Sequence, residues 1–324
     1  AKHRLWLIED NCDALGSTYS LRRDTARAFN PLTAAAGAAP SPCPLPPAPL
    51  DPCSLSPDTS PTGTFGDLST QSFYPPHHLT MGEGGAVNVV RDMRLKVLVE
   101  SFRDWGRDCW CASGQDNTCG KRFGWQLGEL PEGYDHKYIY SHLGYNLKPL
   151  DLQAAIGRVQ LRRLAEFGAA RRRNWQRLRA GLDDLREYFE FALPTHATEW
   201  RNASTNSASG FNWDGSGHRC DPSWFGFMLL VREGAPFTAA AVCRALDEAK
   251  IGNRRLFGGN LVRQPAFVQL KRERPSAFRA VGDLAGADRL MRDALFIGVY
   301  PGLSDAMIDY VIETIHAFCR KETT

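Results

Sequence analysis

Residues 72–85 read Ser72-Phe-Tyr-Pro-Pro-His77-His78-Leu-Thr-Met-Gly-Glu-Gly-Gly85. Pro75 and Pro76 lack a backbone donor and interrupt regular structure. The glycines at 82, 84 and 85 signal a turn. Short apolar pieces alternate with turn signals across 67–90, so the two histidines belong to a loop between them. Paired histidines there are either structural residues with satisfied rings or working groups of a site. Neutral imidazole, with an unperturbed pKa of about 6.5, is available as a base near neutral pH.

Upstream, Leu5-Trp-Leu-Ile8 reads as a short buried strand, followed by Glu9-Asp10-Asn11-Cys12-Asp13. Ligands in open α/β sheets bind beyond the carboxyl ends of strands. Asp10 is placed there, where a carboxylate can keep a ring nitrogen protonated; a solvated strand-end acid is the plainer alternative. The chain opens on this strand without Met or a signal peptide's apolar core, and is expected to begin inside a domain. From 22 to 62 the texture changes. Ten of the 20 prolines lie between Pro31 and Pro61, and such a stretch reads as a disordered insertion.

Downstream, 92–105 is helical in pattern, and a cysteine loop follows at 107–123. Cys109-Trp-Cys111 plus Cys119 places three thiols on that loop. Thiolates hold zinc or iron–sulfur clusters, and spacing alone does not choose between them. Cys12 is the candidate fourth ligand, with Cys53 a rival. A helical pattern runs from Pro149 to Leu185, with Leu152, Ile156, Val159 and Leu164 as its apolar stripe and Arg171–Arg173 on the solvated face. Phe189–Phe191 and Trp224–Val231 read as strands; Phe237–Lys250 and Ser304–Cys319 read as helices. The Asn-, Ser- and Gly-rich stretch 195–221 reads as a loop insertion.

The 324 residues suffice for two domains of about 150 residues each. A net charge of +3 gives no argument for nucleic acid. No apolar run approaches the roughly 18 residues of a membrane span. Nine cysteines without a secretion signal suit a reducing, cytoplasmic setting better than a disulfide framework.

The Glu-Asp strand end, Gly63-Thr-Phe-Gly-Asp67, Ser72-Phe, Gly82-Glu-Gly-Gly85, Gly144-Tyr-Asn-Leu147 and Asp151-Leu-Gln-Ala-Ala-Ile-Gly157 together resemble the DegT-type sugar aminotransferases over nearly the whole chain. The resemblance implies an α/β, fold type I aspartate-aminotransferase-like architecture. A large cofactor-binding domain, N-terminally truncated, would occupy 1–183, and a small C-terminal α/β domain 184–324. The family's N-terminal portion carries a Gly-Thr-Ser-type phosphate loop not found here. Its catalytic lysine, which bonds covalently to pyridoxal phosphate, corresponds to His77. No lysine lies between Lys2 and Lys96, so no neighbour replaces it, and an imidazole cannot form that bond.

Ser101-Phe-Arg-Asp-Trp-Gly-Arg-Asp-Cys109, Pro131-Glu-Gly-Tyr-Asp-His-Lys137 and Gly298-Val-Tyr-Pro-Gly302 further resemble one branch of the family, the 3-dehydrases of CDP-linked 4-keto-6-deoxyhexoses. This implies pyridoxamine 5'-phosphate bound without a covalent link, His77 as the base (His78 the second choice), and Asp10 on the cofactor's ring nitrogen. It also implies a 2Fe–2S cluster on Cys12, Cys109, Cys111 and Cys119, fed by an NAD(P)H-dependent flavin iron–sulfur reductase. The resemblance places Asp13, Ser72, Tyr74 and Asn146 around the cofactor, Asn146 reaching from the other subunit of a homodimer. Asn253, Arg254, Arg255, Asn260 and Arg263 would contact the sugar nucleotide. Two rival classes remain: a pyridoxal-phosphate aminotransferase or cluster-free 3-dehydratase, and a truncated non-catalytic paralogue.

Overall fold

A computed structural model describes residues 5–21, 59–109, 111, 114–202 and 210–323. The expected insertion at 22–62 lies largely outside the described residues, as does Cys53. In chain order the elements are β1 (Ile8–Asp10), β2 (Thr18–Ser20), β3 (Thr59–Pro61), β4 (Leu68–Ser72), β5 (Gly85–Val89), α1 (Arg94–Arg103), α2 (Asp151–Arg162), α3 (Leu164–Gly181), β6 (Phe189–Phe191), β7 (Ala197–Trp200) and β8 (Phe211–Trp213). Then follow β9 (Arg219–Asp221), β10 (Gly226–Val231), α4 (Ala239–Glu248), β11 (Asn253–Arg255), α5 (Pro265–Glu273), α6 (Ala285–Asp293), β12 (Ala294–Gly298) and α7 (Asp305–Thr323). The described residues form two compact units, one containing 5–15 and 60–163, the other 16–21, 59 and 164–323. The helical stretch expected over 149–185 is two helices, α2 and α3.

In the first unit, β1 runs parallel to β4, with Ile8 opposite Leu68 and Asp10 opposite Thr70. β4 pairs antiparallel with β5. Parallel pairing brings the carboxyl ends of β1 and β4, and hence Asp10 and Ser72, to the same sheet edge. Glu9 locks the loop feeding β4: its carboxylate accepts the backbone N–H groups of Gly63 (2.9 Å), Phe65 (2.7 Å) and Gly66 (2.5 Å). The buried strand expected at Leu5–Ile8 is instead exposed, Ile8 at 59%. β1 is an edge strand, and only one of its sides has a neighbour among the described residues. The apolar stripe of α2 is exposed as well: Leu152, Ile156 and Val159 are open, and only Leu164, at the start of α3, is buried.

The second unit is built on the antiparallel sheet β11-β12-β10-β6. Its core joins Phe227, Leu229 and Val231 of β10 and Leu295 and Ile297 of β12 to Trp175 and Leu178 of α3, Val242 and Leu246 of α4, and Ile308 and Ile315 of α7. The helical contributors recur at three, four or seven residues, the spacing of one helix face. Thr238 starts α4 by accepting the Ala241 N–H. Arg171, expected on the solvated face, is buried. It lies one turn from Trp175 on the core face, and its guanidinium donates to the carbonyls of Trp224 and Phe225 at 3.1 and 3.2 Å. The stretch 195–221, expected as loop, contains the antiparallel pair β7–β8 and strand β9, which pairs with β2. Trp200, Phe211 and Trp213 supply the apolar side chains that its polar composition masks.

Candidate functional site

The carboxyl edge of β1 and β4 carries the first candidate group. The Asp10 carboxylate accepts from the Cys12 N–H and the Thr70 hydroxyl, both at 3.2 Å. The Cys12 side chain and N–H, then Thr70, then His77, hold its pKa below the ordinary carboxylate range. It is therefore an ionised acid near neutral pH. Asp13 is pushed the other way, up, chiefly by burial, with His77 opposing. Its Oδ1 lies 3.1 Å from His77 Nε2.

His77 is fixed from its other side. Its Nδ1 is 3.2 Å from the Tyr74 carbonyl, which also accepts the His77 backbone N–H. A carbonyl only accepts, so Nδ1 carries the hydrogen, and the Nε2–Asp13 pair holds the exchangeable proton. The Tyr74 ring stands edge-on to the imidazole at 6.1 Å. Ser72 Oγ accepts the Tyr74 N–H at 3.3 Å, which tightens the turn leaving β4. His78 is buried at 2% exposure, whereas His77 remains partly open. The structure therefore gathers Asp10, Asp13, Ser72, Tyr74 and His77 in one neighbourhood. An ionised acid beside an imidazole of defined tautomer has the chemistry to hold a protonated ring nitrogen and to move a proton, so these residues fit a pyridoxamine-type cofactor. Asn146 is exposed and bridges through its backbone to Asp104.

The second group is the thiol loop. Gly106, at φ +84°, lets the chain turn out of α1 and run back against 139–146. There Ser141 and His142 donate to the Gly106 carbonyl, and Asp108 donates to Ile139. This brings Cys109 beside the 3-10 turn His136–Tyr138. Cys109, Cys111 and His136 place their ligand atoms within 4.8 Å of one another. His136 Nε2 is 3.7 Å from the Cys109 and Cys111 sulfurs and 3.4 Å from that of Cys119. The Cys111 thiol is lowered to about 6, first by the Thr118 hydroxyl, then by the Cys119 N–H, with His136 adding to it. Burial pushes the Cys109 thiol up. Neither Cys119 nor Cys12 belongs to that close group; the Cys12 sulfur meets the Thr70 hydroxyl at 3.5 Å. Sequence reasoning noted the segment Pro131–Lys137 without giving His136 a role. The separation of 17 residues between His136 and Cys119 belongs to no short ligand motif.

In the second unit, the expected sugar-nucleotide residues are engaged with their own surroundings. Asn253 is buried and donates to Asp247 and to the Cys243 and Ile251 carbonyls. Arg255 donates to the Met291 carbonyl at 2.8 Å and to that of Arg292. Arg263 forms a two-pronged pair with Asp288, which also takes the Asn260 amide at 2.7 Å. Arg254 is exposed, with one contact to the Asn253 carbonyl at 2.7 Å.

A family model described as the DegT/DnrJ/EryC1/StrS aminotransferase family matches residues 1–316. The chain belongs to that family. A lipopolysaccharide biosynthesis protein, RfbH, of Salmonella typhimurium is 45% identical over 98% of this chain and 57% of its own length. The dTDP-4-dehydro-2,6-dideoxy-D-glucose 3-dehydratase of Saccharopolyspora spinosa is 42% identical over 99% of this chain and 55% of its own. The chain thus spans a little over half the length of the curated relatives it matches. A crystal structure of a GDP-4-keto-6-deoxymannose-3-dehydratase variant with bound GDP-perosamine superposes with a TM-score of 0.64 at 19% identity, covering 97% of this chain and 62% of that one. The fold is that of the fold type I, aspartate-aminotransferase-like enzymes. No described helix is long and apolar enough to cross a membrane.

Proposed function

We propose that the protein removes the C3 hydroxyl of a nucleotide-linked 4-keto-6-deoxyhexose, in deoxysugar and lipopolysaccharide-type biosynthesis, using non-covalently held pyridoxamine 5'-phosphate. One observation carries this reading: the imidazole of His77, which the sequence resemblance aligns with the family's lysine, lies 3.1 Å from Asp13 and close enough to Asp10 to lower its pKa. The 3-dehydratase at 42% identity supports it. When bound, the cofactor would supply an amine for the 4-keto group and an electron-accepting ring. Asp10, kept ionised by Cys12 and Thr70, holds the ring nitrogen protonated. His77 Nε2 would take a proton at the cofactor's reacting carbon, and Asp13 would keep that proton within a hydrogen bond. Burial of Asp13 weakens its competition for the charge and leaves Nε2 available.

CDP is the nucleotide suggested by the sequence resemblance, although the 42% relative's name specifies dTDP. The exposed stripe of α2 is consistent with a homodimer that covers it. The expected 2Fe–2S cluster on Cys12, Cys109, Cys111 and Cys119, with its NAD(P)H-dependent reductase, rests on the sequence resemblance, and no step is routed through it.

The test compares wild type with His77→Asn and His77→Lys, each loaded with pyridoxamine phosphate and given CDP- or dTDP-linked 4-keto-6-deoxyhexose. Water elimination and solvent-deuterium exchange at the cofactor methylene are followed. Loss of about 10²–10⁴-fold in both signals in His77→Asn is expected. An amino sugar produced by wild type, or unchanged exchange in His77→Asn, would overturn the reading.

A further inference from the structure

A ligand-sized cavity opens in the second unit where β11 begins and β12 ends, near the facing pair Asn253 and Ile297. It measures about 620 Å³, within the roughly 300–1,000 Å³ that small-molecule sites occupy. None of its lining residues belongs to the cofactor group, to the thiol loop or to the expected sugar-nucleotide residues.

Two tyrosine rings form its walls. Tyr310, on α7, is anchored by its hydroxyl, which donates to the Ala249 carbonyl at 3.1 Å. Tyr300 is anchored by its backbone: its carbonyl accepts the buried Asn174 amide at 3.0 Å and the Leu303 N–H at 3.2 Å. Its ring lies over two glycines. A Cβ on Gly302 would sit 2.7 Å from Tyr300 Cε2, and one on Gly298 would sit 3.6 Å from Cδ1. A side chain at 302 would therefore displace the ring. The motif Gly298-Val-Tyr-Pro-Gly302, which the dehydration chemistry does not use, thus builds one wall of the cavity. Ile251, Leu303, Met307 and Val311 extend an apolar lining. Both rings and Met307 stay half-exposed. Gly252 keeps the mouth open, since a Cβ there would meet nothing within 4 Å.

A single charge lines this space, that of Lys250. Its backbone is left-handed, at φ +59°, a conformation that disfavours residues with a Cβ. Helices commonly place glycine just past their end for that reason, so the strain here points to a use for the side chain. Lys250 is exposed and enters no ion pair among the described residues. The acids of the adjoining helix are committed elsewhere: Asp305 and Asp309 pair with Arg177 at 3.2 and 2.8 Å. Aromatic walls and a glycine mouth favour a flat ring over an aliphatic chain. One cation balances one negative charge, which a nucleoside diphosphate exceeds, and the apolar lining would leave ribose hydroxyls without partners.

We infer that this cavity binds a small aromatic carboxylate, with the ring against Tyr300 and Tyr310 and the carboxylate at Lys250. The full chain, labelled with carbon-13 at its methionine methyls, is titrated with naphthoate, decanoate and CDP. The Met307 signal is assigned by its loss in Met307→Leu. Naphthoate should shift that signal saturably and bind at least about tenfold more tightly than decanoate or CDP. Lys250→Met should weaken naphthoate about fivefold. Ala306→Phe, which puts a ring into the cavity from the exposed first turn of α7, should weaken it at least about tenfold with an unchanged thermal midpoint. A Met307 methyl that naphthoate leaves unmoved would overturn the inference, and that result requires no variant to fold. So would decanoate or CDP binding as tightly as naphthoate, or full affinity in Lys250→Met. None of these outcomes bears on His77, whose test stands on proton exchange at the cofactor.

Discussion

Replacing Gly106 by alanine should loosen the thiol loop while leaving the second unit intact. A Cβ there would lie 1.8 Å from the His142 carbonyl oxygen and 3.0 Å from the Gly144 nitrogen. Both are backbone atoms, so no rotamer change relieves the overlap. The facing segment must retreat by about 1.5 Å to reach ordinary contact. That retreat breaks the Ser141 and His142 hydrogen bonds to the Gly106 carbonyl, 3.0 and 3.2 Å long, at about 1 kcal/mol each. The left-handed backbone at φ +84° adds about 1 kcal/mol for a residue with a Cβ. The local cost is thus about 3 kcal/mol, or roughly 100-fold faster opening. Hydrogen exchange read by mass spectrometry on peptides covering 101–109 and 138–147 checks this. The β10 peptides should be unchanged and serve as the internal reference. Gly120→Ala is the control: it sits at φ +66° with nothing within 4 Å and carries the backbone cost alone, roughly fivefold. If Gly106→Ala exchanges no faster than Gly120→Ala, the close approach of the two backbones is not what holds Cys109 to His136.

Three further outcomes follow from other contacts. Glu9→Gln leaves one carbonyl oxygen for three backbone donors and should cost about 2–3 kcal/mol, seen as faster exchange at Phe65 and Gly66; unchanged protection there would show that the carboxylate is not the clamp. Trp175→Ala removes a fully buried ring stacked on Trp224 at 4.3 Å and should cost about 3–5 kcal/mol in urea unfolding of the second unit, and a loss under 1 kcal/mol would refute its central place. The Asp214 carboxyl is lowered to about 2, first by the Ser216 hydroxyl and then by His196. A depressed carboxyl contributes stability above its unfolded pKa of about 3.9, and that contribution is lost as pH falls toward the folded value. The stability difference between wild type and Asp214→Asn should therefore be constant above about pH 5 and vanish near pH 2; a pH-independent difference would contradict the assignment.

Much of the fold was legible because its signals are local. The helices at 94–103, 239–248 and 305–323 and the strands at 189–191 and 226–231 lie where the apolar periodicity places them. What composition hid was burial. Arg171 opens a run of three arginines and reads as solvated, yet its offset of four from Phe167 and from Trp175 puts it on the core face, where two carbonyls accept its charge. Leu5–Ile8 is as apolar as a central strand, but an edge position exposes it; depth in a sheet depends on neighbours that a local window does not contain. The polar stretch 195–221 hid a strand pair because Trp200, Phe211 and Trp213 are separated by Asn, Ser and Gly. Asp10, Asp13, Tyr74 and His77 were legible as a group only through the pattern of the motifs, since nearly 60 residues separate β1 from β4. His136 was not legible as a neighbour of the thiols because they are brought to it by the reversal at Gly106.

For the proposed reaction, a histidine at position 77 does not by itself supply a base, because either ring nitrogen of an imidazole can carry the hydrogen. Two local features assign it. The Tyr74 carbonyl, held in place by the turn that Ser72 Oγ tightens, claims Nδ1–H. Asp13, raised by its own burial, leaves Nε2 as the atom that exchanges a proton. Both depend on the parallel register of β1 and β4. A slip of one residue would turn Asp10 to the opposite face of the sheet and remove Thr70 from it. The proposed ring-nitrogen acid and the proposed base would therefore share one origin in sheet pairing, and a variant that disturbs the Glu9 clamp should impair both together. A selective loss of proton exchange with ring-nitrogen binding preserved would instead place His77 outside the register's control.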